Sequence, residues 1–97
     1  MSEQAAAEQV GVVYVGRKSI AVYLARVITA LAEAREVVII ARGNFIRKAV
    51  SVAARAIKAL SCDYHVRIDE DVLATGGQRR LIPKVEIRLI KEHEAHY

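Results

Sequence analysis

Cysteine is almost absent from this 97-residue chain. Its single thiol, Cys62, excludes an internal disulfide framework and fits a reducing interior. Long apolar runs are absent too. Nothing approaches the ~20 residues of a membrane span, so no membrane partner is expected. Met1 to Gln9 carry Glu3 and Glu8 and no basic residue, so no charged and apolar leader of the secretory kind is predicted there. There is one proline, Pro83, and no tryptophan. No nucleophile with an adjacent base stands out, so the sequence predicts neither an enzyme nor a bound cofactor.

What is present is a folding core with a lopsided charge. The composition is 54% hydrophobic and 27% charged, enough for a core. The length is that of one small domain, for which oligomerisation is a common route to stability. All 15 Lys and Arg lie between Val10 and Lys91, against seven of the 11 Asp and Glu. The net charge of +4 for the chain therefore hides +8 within that span. A folded core this basic favours a polyanionic partner. The competing account is charge kept for solubility.

Residues 1–9 read as a loose tail, 10–91 as a single domain, and 92–97 as a short second tail. Val10 to Val15 is a β-branched and aromatic run ended by Gly16, a buried strand. Ser19 is a good helix cap. Ile20, Tyr23, Leu24, Val27, Ile28 and Leu31 then form one apolar stripe on a helix of ~14 residues. Glu36 to Ala41 reads as a second strand. Arg42-Gly43-Asn44 is the turn out of it, with Asn44 as the cap of a helix over about Phe45–Leu60. That helix is expected to bury Ile46, Ala49, Val50, Ala53, Ile57 and Leu60, and to solvate Lys48, Ser51, Arg55 and Lys58. Val52 and Ala56, beside the stripe, and Leu60 at its end are the residues expected to meet a partner. His65–Leu73 and Leu81–Ile90 read as two further strands. In the last, Val85, Ile87 and Leu89 alternate with Lys84, Glu86 and Arg88, a sheet with one covered face. Gly76-Gly77 supplies a hairpin turn, and Pro83 marks an exposed or edge position.

The order is βαβαββ, with helices and strands in one small domain. Right-handed crossovers make the first three strands run the same way. Their C-terminal ends, both helix starts and the hairpin turn then share one edge. Seven basic residues fall there: Arg17, Lys18, Arg42, Arg47, Lys48, Arg79 and Arg80. Gly43, Asn44 and Gln78 lie among them. Cations at helix N-termini oppose the helix dipole, whereas phosphate suits both the dipole and the free N–H groups. The expected nucleic-acid-binding set is these seven with Gly43, Asn44 and Gln78.

Three other motifs lead elsewhere. Gly11-x4-Gly16-Arg17-Lys18-Ser19 nearly spells a nucleotide-binding P-loop. It has one residue too many, and a strand occupies the place of the backbone cradle. Cys62-x-x-His65 and His93-x-x-His96 have zinc-ligand spacing, but a small buried thiol and surface imidazoles explain them more simply, and no metal is expected. Asp69, Glu70 and Asp71 read as a solvated or partner-pairing acidic patch on a strand.

A strand ending in VGRKS, a helix, VVIIARGNFIRKAV and a Gly-tipped basic hairpin together resemble the Alba family of archaeal chromatin proteins. The resemblance runs from about Val10 to Lys91. Its most specific part is Ala41-Arg42-Gly43 with Ile46 and Lys48-Ala49-Val50. It implies an α/β (α+β) two-layer sandwich on a four-stranded mixed sheet of order 1-2-4-3, with a protruding hairpin between the last two strands, and a dimer, either a homodimer or a heterodimer with a paralogue. It implies binding of double-stranded DNA and also RNA without strong sequence preference, in the cytoplasm and on the chromosome. Its paired basic residues fall on Arg17 and Lys18, its turn arginine on Arg42 and its helix lysine on Lys48. Its arm, which reaches along the minor groove, falls on about Leu73–Ile82. The chain departs from it at three positions. Arg17 stands where Lys is common, which leaves Lys18 as the acetylatable residue of that turn. Leu60 stands where many members carry a Phe for dimer–dimer packing. Asn44 stands where a basic residue is frequent.

Two functions follow, an architectural protein that coats DNA and an RNA-binding ribonucleoprotein subunit. Only Phe45 and Tyr97 are expected as exposed aromatics. That argues against a stacking platform for single strands and for recognition by backbone and shape.

Overall fold

The apolar runs and stripes become, in chain order, β1 (Val10–Tyr14), α1 (Ile20–Glu33), β2 (Glu36–Arg42), a 3-10 turn (Gly43–Phe45), α2 (Ile46–Leu60), β3 (Asp63–Thr75) and β4 (Gln78–Ile90). This is a computed structural model, and it describes residues 10–91. The two expected tails, with His93, His96 and Tyr97, lie outside the described residues. The four strands form one mixed sheet of order β1-β2-β4-β3. β1 and β2 are parallel, and β4 runs antiparallel to both β2 and β3. Both helices lie on one face.

Ser19 caps α1 as expected, its hydroxyl accepting from the Val22 N–H at 3.3 Å. Tyr23, Val27 and Leu31 are buried, with Ile20 and Leu24 packed at the margin. Ile28 departs from expectation and is half exposed. It sits about 100° round the helix from Val27, on the flank of the stripe. Gly11, paired with Val37, lies where α1 approaches the sheet. A Cβ there would stand 3.1 Å from the Ala30 Cβ and 3.3 Å from Val37 Cγ2. The P-loop resemblance is therefore a close packing contact inside a strand.

Three expectations for α2 are corrected. Asn44 does not cap it: Gly43, at φ +57°, leads into a 3-10 turn, and α2 starts at Ile46 with no side-chain cap. The buried face is Ala49, Val52, Ala53 and Ala56, while Val50 and Leu60 are exposed. Val52 and Ala56 are fully enclosed in the core of one chain, so neither is available to a partner. The reason is size. Three alanines and one valine let α2 lie close to α1 and the sheet, and the bulkier apolar residues turn outward.

The core is closed by Val37, Ile39, Val85, Ile87 and Leu89 beneath the helices. Fully burying each such side chain stabilises the fold by about 1.5–3 kcal/mol. α1 and α2 cover β1, β2 and β4, but β3 lies beyond them. Tyr64, Val66 and Ile68 share the helix-side face with Leu89, Ile87 and Val85, yet all three are exposed, Ile68 to 82%. The opposite face of the sheet is open and laced with ion pairs, Arg88 to Glu36 and Lys84 to Glu86 (3.3 Å) among them.

β3 and β4 are both longer than expected. β2 ends opposite Lys84. Past that point β3 and β4 continue alone, from Glu70 and Pro83 to Thr75 and Gln78. Pro83 thus sits where β4 loses its β2 neighbour and has no ladder bond to supply on that side. Six residue pairs at about 3.3 Å each make a free ribbon of about 20 Å. Gly76 and Gly77, at φ +56° and +81°, form the two-residue turn that matches strand twist.

Candidate nucleic-acid interface

The predicted edge forms. β1, β2 and β3 all end on it, α1 and α2 begin on it, and the ribbon projects from it. Arg17 and Lys18 lie in the β1–α1 turn, Arg42 closes β2, Arg47 and Lys48 open α2, and Arg79 and Arg80 lie on the ribbon beside Gln78. The structure divides these seven cations into three groups.

Arg17, Lys18, Arg47, Arg79 and Arg80 are exposed. Among the described residues none of their side chains is ion-paired. Arg42 instead donates through Nε to the Asp71 carboxylate, which also lies 4.0 Å from Lys84 Nζ. Asp71 therefore pairs within its own chain, where the acidic patch was expected to be solvated or to meet a partner. The hydrogen bond from Arg42 is the main cause that holds the Asp71 carboxyl below its ordinary pKa, against a desolvation that raises it. The charges of Arg42 and Lys84 add to the lowering. The third case is Lys48, which turns inward: its ammonium donates to the carbonyl oxygens of Gly16 and Lys18, each at 2.7 Å.

The backbone of that turn is engaged on its other side too. The Tyr23 hydroxyl accepts from the N–H groups of Gly16 (2.8 Å) and Lys18 (3.1 Å). Burial pushes the Tyr23 pKa up. The two N–H groups, with the charges of Lys48 and Arg26, outweigh that and leave it below its ordinary value. Free N–H groups were expected here as a cradle for phosphate. Those of Gly16, Lys18 and Val22 are already satisfied within the chain, which narrows that cradle. At α2 Gly43 and Asn44 form the 3-10 turn beside Arg42 and Arg47. A Cβ on Gly43 would stand 3.5 Å from Ile82 at the base of the ribbon.

Two residues were missed. Tyr14 ends β1 on the open sheet face, 62% exposed, three residues before Arg17. Strict alternation with buried Val13 and Val15 was the available signal. Tyr64 is also exposed, because no helix lies over β3. Cys62 is buried. Among the described residues no His, Cys, Asp or Glu cluster could hold a metal, and no helix is long and apolar enough to cross a membrane.

Comparison with known proteins places this arrangement. A protein of Nanoarchaeum equitans named DNA/RNA-binding protein Alba is 34% identical over 87 residues, covering 82% of this chain and 97% of that protein. The solved structure of Alba from Thermoplasma volcanium superposes with a TM-score of 0.73 at 28% identity, over 84% of this chain and all of that one. An Alba protein of Trypanosoma brucei shares the fold, with a TM-score of 0.64 at 22% identity, covering 84% of this chain and 68% of that one. The Alba family model matches residues 11–60, from the first strand through the second helix. On the family model and the N. equitans relative, the chain belongs to the Alba family.

Proposed function

We propose that this chain binds double-stranded DNA, and also RNA, through phosphate contacts and without strong sequence preference, as an architectural, chromosome-associated protein. The observation that carries this reading is the set of five exposed cations on one edge, supplied by three separate elements. Phosphate contacts position a protein on a duplex, whereas base edges specify sequence. Little here reads base edges apart from Asn44 and Gln78. The N. equitans relative's name points to the same pair of ligands.

The test is the salt dependence of binding. A dimer that neutralises about 6–10 phosphates gives a slope of log K against log salt of about −5 to −9. A slope near zero, or strong preference for one sequence, sinks the reading. Matched DNA and RNA duplexes in competition rank the two ligands. The second reading, a ribonucleoprotein subunit, gains support from Tyr14, an exposed ring beside the basic turn on which an unpaired base can stack.

The partner of this chain is a second copy, or a paralogue of the same fold. Tyr64, Val66 and Ile68 on β3 and Val50, Ala54 and Ile57 on α2 border one apolar groove of about 240 Å3 or its rim. Leu60 lies exposed at the end of the same helix. A contiguous apolar face of this kind on a small protein marks an association surface, and a two-fold contact places a basic edge on each half of the dimer. Ile68→Glu is expected to yield monomers in sedimentation at micromolar concentration, with the fold retained because Ile68 is 82% exposed within its own chain. A wild-type monomer at that concentration would refute the dimer.

A further inference from the structure

The β1–α1 turn is held on both sides of its backbone by two side chains that project from different helices. Tyr23, on α1, is 4% exposed, and its hydroxyl oxygen accepts the N–H groups of Gly16 and Lys18. Lys48, on α2, donates to the carbonyl oxygens of the same two residues. A hydroxyl oxygen has two acceptor sites and an ammonium has three donors. The tyrosine oxygen is therefore full, and the lysine has one N–H left. Lys48 Nζ also lies 5.8 Å from the centroid of the Tyr23 ring and 5.7 Å from that of Phe45, within cation–π range of both. Its charge is thus committed to two carbonyl dipoles and two rings. From this clamped turn the Arg17 and Lys18 side chains point out to solvent.

We infer that Tyr23 and Lys48 are positioning residues that preset the Arg17-Lys18 turn for a nucleic-acid backbone, and that Lys48 is not itself a phosphate ligand. This rests on the reading of the basic edge given above. It changes the role expected of Lys48, from a contact on the surface to a brace beneath it. The physical gain is preorganisation: backbone freedom that binding would otherwise have to remove is removed on folding. The depressed Tyr23 pKa agrees with an oxygen that receives two N–H donors beside a cation. The brace also needs a compact point charge. The compact lysine ammonium reaches both carbonyl oxygens at 2.7 Å, a geometry that the larger planar fork of arginine does not reproduce atom for atom.

A coupling experiment separates the brace from a direct contact. Affinity for one 20-base-pair DNA duplex is measured for Tyr23→Phe, Lys48→Met and Lys48→Arg. Each is made in the native chain and in one carrying Arg17→Gln with Lys18→Gln. Phenylalanine at 23 changes no charge and is too buried to reach a phosphate. Tyr23→Phe and Lys48→Met are each expected to weaken binding roughly three- to tenfold in the native chain. In the Arg17→Gln, Lys18→Gln background the effect should shrink to within about twofold, because groups that share one contact are not additive. Lys48→Arg should fail to rescue, and the amide NMR signals of Gly16 and Lys18 should move in all three variants. A direct phosphate contact predicts otherwise. Lys48→Met would then lose about one unit of salt slope in both backgrounds, and Lys48→Arg would bind like the native chain. Additive losses, or native affinity in Tyr23→Phe, overturn the inference. If Tyr23→Phe does not fold, the two Lys48 variants carry the same cycle. Should Arg17→Gln with Lys18→Gln leave binding unchanged, the basic-edge reading itself falls. Additivity alone removes only the brace.

Discussion

Two pairs of adjacent cations, Arg17-Lys18 and Arg79-Arg80, share one edge of this molecule and differ in everything beneath them. The first pair sits on a turn whose N–H and C=O groups are engaged by Tyr23 and Lys48. The second sits on a ribbon that has lost its β2 neighbour, where nearly every residue is exposed. A Cβ added at Gly76 or Gly77 would meet nothing within 4 Å. Equal charge is thus offered in two ways. The turn presents it at a fixed place. The ribbon presents it over a reach of about 20 Å and gives up conformational freedom on binding. On the function proposed above, a duplex approaching the edge would meet a fixed reference point and an arm that adapts to the groove.

Removing the arm's charge should give the largest effect and expose the contrast most clearly. Each phosphate contact contributes about 0.9 units of salt slope, or about 0.7 log units at 0.15 M salt relative to 1 M. Arg79→Ala with Arg80→Ala should therefore weaken binding about 30-fold per arm engaged, for all sequences alike. Thermal stability should not change, because neither side chain packs on the core. The ribbon amides should also exchange faster than those of Val85–Leu89, since exposed ladders open locally. Native affinity in the double variant, or a lowered Tm, would erase the distinction between arm and body.

The fixed turn should respond more modestly to loss of one charge. Lys18→Gln, a neutral mimic of acetylation, removes one contact and should cost about fivefold with about one unit of slope. Arg17→Gln should cost about the same, since guanidinium and ammonium each hold one phosphate here. If Lys18→Gln abolished binding while Arg17→Gln did nothing, the edge would be a single switch rather than a distributed surface.

Much of this was legible from residue order. The period-2 alternation over Lys84–Leu89 fixes which face of β4 is buried. Ser19 followed by a 3.6-period stripe places α1 to the residue. The sheet order came from the family resemblance, since periodicity does not tell which strand lies beside which. Two kinds of information stayed hidden. One is the rotation of α2. Val50 and Leu60 look like core by size, but close approach of helix to sheet selects alanine, and only the packed layers show how close that approach is. The other is pairing over distance. Nothing local to Lys48 shows that two carbonyl oxygens some 30 residues earlier await a donor. Nor does Arg42 show that a carboxylate 29 residues later takes its guanidinium. The sequence locates cations on an edge, and the fold decides which of them are spent internally.

Arg42 lies between the two pairs and tests where the boundary falls. Its guanidinium is held by Asp71, at the point where the ribbon leaves the sheet, with Lys84 on the other side of the carboxylate. A phosphate reaching Arg42 must compete with that carboxylate. Asp71→Asn removes the competitor and one negative charge from the edge. Binding should therefore tighten, by less than about fivefold, because at most one phosphate contact is added. The pH dependence has a definite sign. Asp71 is held below its ordinary pKa by Arg42, so the pair supports the folded state above the ordinary carboxylate range. That support is lost as pH falls through the lowered value, when the unfolded chain already carries the proton. Acid unfolding followed from pH 5 downward should be less steep in Asp71→Asn than in the native chain. Unchanged affinity with a flattened acid limb would make the pair a fastening for the base of the arm. Tighter binding would place Arg42 with the cations that nucleic acid recruits.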